Sequence, residues 1–380
     1  MKAKQPLKQL LLILATLLAA PTLLATEPAL RLTLPAQVPA VVGVPASIYF
    51  DNIVLTQTPE AYRFDVACDL GKSEPRRWTL TPKATDLGTH PLSITVTDAS
   101  GKQLAKATTR LRVVPADAGE GQSLRLLIVG DSLTHATLYP NEIARLLARP
   151  GNPEWTLLGT HKPTSAKPGV AHEGYGGWTW QRFVQQYEPN PDGTYRKRSS
   201  PFVYLGKDEK PALDVPRYIR EECNGKAPDV VLFLLGINDC FSANPEDAKA
   251  IDARIDVMMS HADTLLAAFH KAAPEAELAV GITTPGNARE SGFFANYKGR
   301  YKRWGWKRIQ HRLVERLIER FAGREKERLF LVPTQLNLDP VDGYPDNNGV
   351  HPNAVGYAQI GASMYAWLKW RLQERAALTE

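Results

Sequence analysis

The pattern of apolar and polar positions changes once along the chain, near residue 120. From Glu27 to Pro115, short runs such as ALRLTL, SIYF, RFDVAC, RWTLTP, LSITVTD and TTRLRVV alternate apolar and polar residues. A period of two is that of a strand with one buried face, and the turn-forming residues between the runs separate successive strands. TVTDASGKQLAKATTRLRVV predicts a hairpin that turns at Ala99, Ser100 and Gly101. Short strands at this spacing predict an immunoglobulin-like β-sandwich over residues 27–115, read here as a spacer, although the Cys-Trp-Cys pattern of antibody domains is absent. PADAGEGQS follows, and its composition predicts a linker over 116–123.

From 124 to 380 the period is different. Solid apolar runs, LRLLIV, WTLLG, DVVLFLLG, ELAVGITT and RLFLVPT, alternate with stretches of helical spacing such as YPNEIARLLAR, WTWQRFVQQY and PNAVGYAQIGASMYAWLKWRLQERA. A strand that is apolar at every position is buried on both faces, so this half predicts an α/β fold with a parallel sheet between helix layers. Such sheets hold their ligands beyond the carboxyl ends of the strands. In KGRYKRWGWKRIQHRLVERLIERF, Ile309, Leu313, Leu317 and Phe321 fall at helical spacing, which predicts a buried stripe with a basic, solvated face rather than a polyanion site.

The first 25 residues read as a signal peptide, with lysines, an apolar stretch and small residues before a charged chain. Pro21 interrupts the apolar run, which argues against stable membrane insertion. The expected location is secreted or periplasmic. At 43% hydrophobic and 23% charged, the composition is that of a globular protein. Three of the lysines behind the net charge of +6 lie in the leader, so the mature chain is too mildly basic to point to nucleic acid. Cys68, Cys223 and Cys240 are odd in number, so at least one thiol is unpaired within the chain; Cys223 and Cys240 are near enough in sequence to be candidates for a disulfide. Their spacing suits no zinc site, and no His-x-x-x-His pair supports a metal hydrolase. No metal or other cofactor is expected.

Candidate chemistry begins where the run Leu126–Val129 stops at Gly130, Asp131 and Ser132. The following Leu133 and Thr134 exclude the Gly-x-Ser-x-Gly elbow, and the glycine spacing is not that of a phosphate loop. Downstream, Gly176 and Gly177 precede a helix expected from about Trp178, where unsatisfied backbone N–H groups suit a developing oxyanion. Asn238 ends the most apolar strand and carries an amide that can serve the same oxyanion. His351 stands just before the last helix, in reach of a general-base role. Asp131 and Asp239 adjoin these residues and are expected to bond nearby backbone. Trp178, Trp180, Trp304 and Trp306 read first as core, with a sugar platform as the alternative.

These four blocks, in this order, resemble the SGNH hydrolases, or GDSL esterase superfamily, from about Leu124 to the C-terminus. The resemblance implies a flavodoxin-like three-layer α/β/α sandwich. It implies Ser132 as nucleophile, Gly177 (or Gly176) and Asn238 as oxyanion donors, and His351 as base. One position departs from the pattern. The family commonly has an aspartate three residues before the histidine, where this chain has Asn348. Asn348 is the expected orienter of His351; Asp346, Asp342 and a backbone carbonyl are the alternatives. With export and a β-sandwich, the resemblance implies a bacterial carbohydrate esterase acting on small-molecule or polysaccharide esters, foremost O-acetyl groups. A short-chain lipid or aryl esterase, an O-acetyltransferase and a non-catalytic glycan-binding protein are the other readings.

Overall fold

A computed structural model describes residues 30–190 and 199–377. The predicted signal peptide, residues 1–25, lies outside the described residues.

The N-terminal part is all-β: β1 (Gln37–Val41), β2 (Ala46–Tyr49), β3 (Arg63–Ala67), β4 (Lys72–Glu74), β5 (Arg77–Leu80), β6 (Gly88–Thr97) and β7 (Gln103–Val114). They form a four-stranded sheet, β1-β7-β6-β3, and a three-stranded sheet, β2-β5-β4. The hairpin stands where the pattern puts it: β6 and β7 pair antiparallel, and Asp98 Oδ1 accepts from the N–H groups of Ser100 and Lys102 to shape the turn. The expected strand ALRLTL is reduced to one bridge, Leu32 to Val54. Its place is taken by β1, which runs parallel to β7. Pro39 disguises β1 in the sequence; a residue without an N–H is tolerated here because β1 is an edge strand. The stretch 116–122 consists of turns packed on the molecule, with Ala118 buried and Gln122 Nε2 donating to Leu372 O.

The rest of the chain alternates strand and helix. The order is β8 (Ser123–Gly130), α1 (Ser132–His135), α2 (Leu138–Leu147), β9 (Glu154–Leu158), β10 (Glu173–Gly174), α3 (Trp180–Gln185), β11 (Val203–Leu205), β12 (Pro211–Leu213) and α4 (Val215–Glu222). Then come β13 (Val230–Leu234), α5 (Ile237–Cys240), α6 (Ala248–Ala272), β14 (Glu277–Gly281), α7 (Glu290–Tyr297), α8 (Arg303–Phe321), β15 (Leu329–Val332) and α9 (Ala354–Ala377). Beside the small antiparallel β11–β12 pair, the main sheet is wholly parallel, in the order β10-β8-β13-β14-β15, with β9 on the same side of β8 as β10. Counting β9 and β10 as one edge, the strand order is 2-1-3-4-5, the doubly wound flavodoxin-like order. Every residue of β13 and β14 is buried. Since successive side chains point to opposite faces, both faces are covered. The crevice where the order reverses lies between β8 and β13.

On α8 the apolar stripe is buried as expected. Its basic face differs from expectation. Arg312 and Arg316 pair with Asp252, Arg316 also with Asp256, and Arg320 with Asp263, all on α6. Arginines four apart on one helix meet acids on its neighbour, so the basic run closes an interhelix seam. All three cysteines are free thiols, Cys223 and Cys240 among them.

Candidate active site

The nucleophile candidate sits at the carboxyl end of β8. Gly130 closes the strand because no side chain fits there: a Cβ would lie 1.8 Å from Thr134 Oγ1. Asp131 then caps α1, its Oδ1 accepting from Leu133 N at 2.9 Å. Ser132 is the first residue of α1, so the helix itself supplies no partner for its N–H.

His351 reaches Ser132 from the loop before α9. Its Nε2 lies 2.8 Å from Ser132 Oγ and its Nδ1 lies 3.2 Å from Asn348 Oδ1. The same Asn348 oxygen accepts from the backbone N–H groups of Val350 and His351, at 3.1 and 3.0 Å. Two N–H donors identify that atom as oxygen rather than amide nitrogen, and an oxygen can only accept. Nδ1 therefore carries the proton, and Nε2 presents a lone pair to the serine hydroxyl. Burial holds the His351 imidazole below its ordinary range, which favours the neutral form a base requires. Asp346 and Asp342 do not approach the ring. Asp346 is exposed and ion-paired with Arg289, and Asp342 with Arg76.

Gly176 and Gly177 precede a helix as expected, but α3 begins two residues later than the expected Trp178. Thr179 Oγ1 caps α3 by accepting from Arg182 N, so the helix starts at Trp180. The glycines occupy an exposed turn, closed by Trp178 N donating to Tyr175 O, with Gly177 at φ +75°. A Cβ at Gly177 would meet open space, so the positive φ, not crowding, is what calls for glycine there. Asn238, in α5, donates its amide to Trp178 O at 3.0 Å and, at 3.4 Å, to Asp131 Oδ2. The carbonyl that follows Gly177 thus orients Asn238, whose amide also reaches Asp131, the residue before Ser132.

Two carboxyls support this arrangement from beneath. Asp131 is buried and pushed up to about 7 by desolvation, opposed by the Leu133 N–H. Asp239 is raised to about 7 by desolvation first and Asp131 after it, and it accepts from Trp180 N at 3.1 Å. Sequence reasoning missed a histidine group beside Ser132: His135 Nδ1 and His161 Nε2 are 2.9 Å apart, and His161 stacks edge-on against His172. Only His135, three residues after Ser132 on α1, carried a local signal. Among the described residues, no group of three or more His, Cys, Asp or Glu is arranged to hold a metal ion. Trp178, Trp180 and Trp306 are buried, so these indoles pack the core rather than form a sugar platform.

No protein-family profile matches the chain, and no curated protein matches it in sequence. Among solved structures, a family 3 carbohydrate esterase of Clostridium thermocellum is similar at 19% identity and a TM-score of 0.42, covering 67% of this chain and 100% of that one. A GDSL-like lipase from Parabacteroides merdae has 15% identity, a TM-score of 0.35 and coverage of 67% and 96%. The acetylxylan esterase Axe2 from Geobacillus stearothermophilus has 15% identity, a TM-score of 0.34 and coverage of 65% and 94%.

Proposed function

We propose that the protein is an exported serine ester hydrolase that removes acyl groups, foremost acetyl, from carbohydrate. The observation that carries the reading is the relay Ser132 Oγ, His351 Nε2 and Nδ1, and Asn348 Oδ1 at 2.8 and 3.2 Å. In the reaction, Ser132 Oγ attacks the ester carbonyl carbon while its proton passes to His351 Nε2. The oxyanion forms against the Ser132 N–H, the Gly177 N–H and the Asn238 amide, whose long 3.4 Å contact with Asp131 Oδ2 gives way to it while the bond to Trp178 O is kept. Collapse breaks the bond to the sugar oxygen, which leaves with the proton from His351. Water, deprotonated by His351, then releases the acid and restores Ser132. A polymeric alcohol is favoured by the setting, because Gly176, Gly177 and His135 are exposed and leave the nucleophile turn open on one side. The same reading takes the N-terminal sheets as an immunoglobulin-like unit, supported by their four and three strands.

The test is acetate release from a panel of acetylated polysaccharides and from a small chromogenic acetyl ester. Ser132→Ala is expected to abolish both while the circular dichroism spectrum is unchanged, and a phosphonate serine reagent to label Ser132 and no other serine. Full activity in the variant, or labelling elsewhere, overturns the assignment.

A further inference from the structure

The loop that delivers His351 is built on the N-terminal β unit, and we propose that this unit is a positioning element of the catalytic apparatus, acting through Asn52 and Arg76. The proposal rests on the esterase reading and assigns a task to residues about 300 positions from the base. After β15 the chain crosses to the β unit before it turns back to His351. Nearly every step of that crossing is held. Asn52 Nδ2 donates to both Gln335 O and Leu338 O at 2.7 Å. Tyr49 N donates to Leu336 O at 3.0 Å, and the Leu336 side chain is buried in the apolar core of the β unit with Ile48, Phe50 and Trp78. Ser47 N donates to Asn337 Oδ1 at 2.8 Å. Arg76 donates to both oxygens of the buried Asp339, at 3.2 and 3.3 Å, and to Asp342 at 2.8 Å.

The last of these contacts leads directly to the base. Asn353, two residues after His351, donates its backbone N–H to Gly343 O and its side-chain amide to Asp342 O, both at 2.9 Å. Arg76 therefore fixes Asp342, Asp342 and Gly343 fix Asn353, and Asn353 fixes the far side of the His351 turn. The near side has a separate support within the α/β part, where Asn287 Nδ2 donates to Pro345 O and Asn348 O. With both supports, the imidazole is held at hydrogen-bonding distance from Ser132. With one, the turn keeps its shape but loses its anchor toward α9, and a displacement of about 1 Å is enough to cost on the order of 100-fold in rate.

The test uses the full-length protein and a chromogenic acetyl ester. Arg76→Met keeps the aliphatic stem of a half-exposed side chain and removes its charge. We expect kcat to fall about tenfold, within the range such misplacement allows, with KM unchanged within about twofold, and phosphonate labelling of Ser132 to slow in parallel. Arg76→Lys restores a charge to Asp339 and is expected to recover most of the rate. The comparison variant is Arg112→Met: Arg112 joins the same β unit to Glu374 on α9 at 3.6 Å, away from the loop, and its loss is expected to leave kcat unchanged. Wild-type kcat in Arg76→Met, or an equal loss in Arg112→Met, overturns the proposal. Hydrogen exchange over residues 335–353 reads the same anchor without turnover. Faster exchange in Arg76→Met supports it, and exchange identical to wild type overturns it. Absence of ester hydrolysis by the wild-type protein would sink the esterase reading alone, because the exchange measurement still decides the anchor.

Discussion

At the residue scale, one oxygen ties the tautomer of His351 to the backbone of its own loop. Asn348 Oδ1 accepts from two backbone N–H groups and from the imidazole, so it orients the ring as an aspartate would. It brings no charge to offset the imidazolium that the proposed acyl transfer would form. In a serine protease, loss of the aspartate costs about 10⁴-fold, chiefly through the wrong tautomer; here the tautomer is already right, so less remains to regain. Asn348→Asp is expected to raise turnover at mildly alkaline pH about tenfold by this reasoning. The added anion stabilises charged His351 and raises its pKa, which burial now holds below the ordinary range. The base must be neutral, so the acid limb of the kcat/KM profile should move to higher pH. Profiles of wild type and variant measured side by side check this; an unmoved acid limb would show that position 348 does not set the charge of the ring.

At the scale of elements, the site is assembled where two neighbouring parallel strands end. β8 and β13 are in register over Leu126–Gly130 and Val230–Leu234, so Ser132 and Asn238 emerge side by side at the switch in strand order. Short helices start at once after both strands, and carboxyls hold the pieces: Asp131 caps α1, and Asp239 accepts from Trp180 N at the start of α3. The cost is two buried acids in one crevice. The Asp239 carboxyl, pushed up to about 7 in the folded protein, keeps a proton that the unfolded chain gives up near pH 4. Stability therefore declines as pH rises between those values and is level above them. Asp239→Asn removes the ionisation and retains an oxygen for Trp180 N. The variant should gain on wild type between pH 5 and pH 8, read as urea midpoints at the two pH values. A constant difference between them would mean that Asp239 is not the group being ionised.

On the scale of the whole molecule, the two parts share their apolar interiors. Val41, Val44 and Val114 from the β unit lie in the large core of the α/β part, while Leu336 from the α/β part lies in the core of the β unit. Burial of each such side chain stabilises by roughly 1.5–3 kcal/mol, and removing the β unit would strip cover from both sides of the seam. The segment before β8 belongs to this packing: a Cβ on Gly119 would lie 2.8 Å from Leu372. A chain beginning at Gly121 is thus expected to aggregate or to fold with little esterase activity, as size-exclusion chromatography and acetyl-ester turnover would show. A monomeric, fully active product would mean that residues 116–123 act as the linker their composition suggests.

Local chemistry made much of this protein legible. The change of apolar period located the β and α/β parts, because burial of one face or of both is written directly into neighbouring positions. The same holds for the α8 stripe and for Ser132 at a strand end, since turn and strand chemistry extend over only a few residues. Asn348 was legible for the same reason, being three positions from His351. What had no local sign were partners far apart in the chain: Arg320 and Asp263, Asn238 and Trp178 O, Asn52 and Gln335 O, Arg76 and Asp339. Pro39 concealed β1, whose edge position only the assembled sheet reveals. A charged or amide side chain reads as solvated in the sequence whether or not it meets a partner. Which donors and acceptors share a buried seam is decided when separate elements pack together, and that packing is what carries His351 to Ser132.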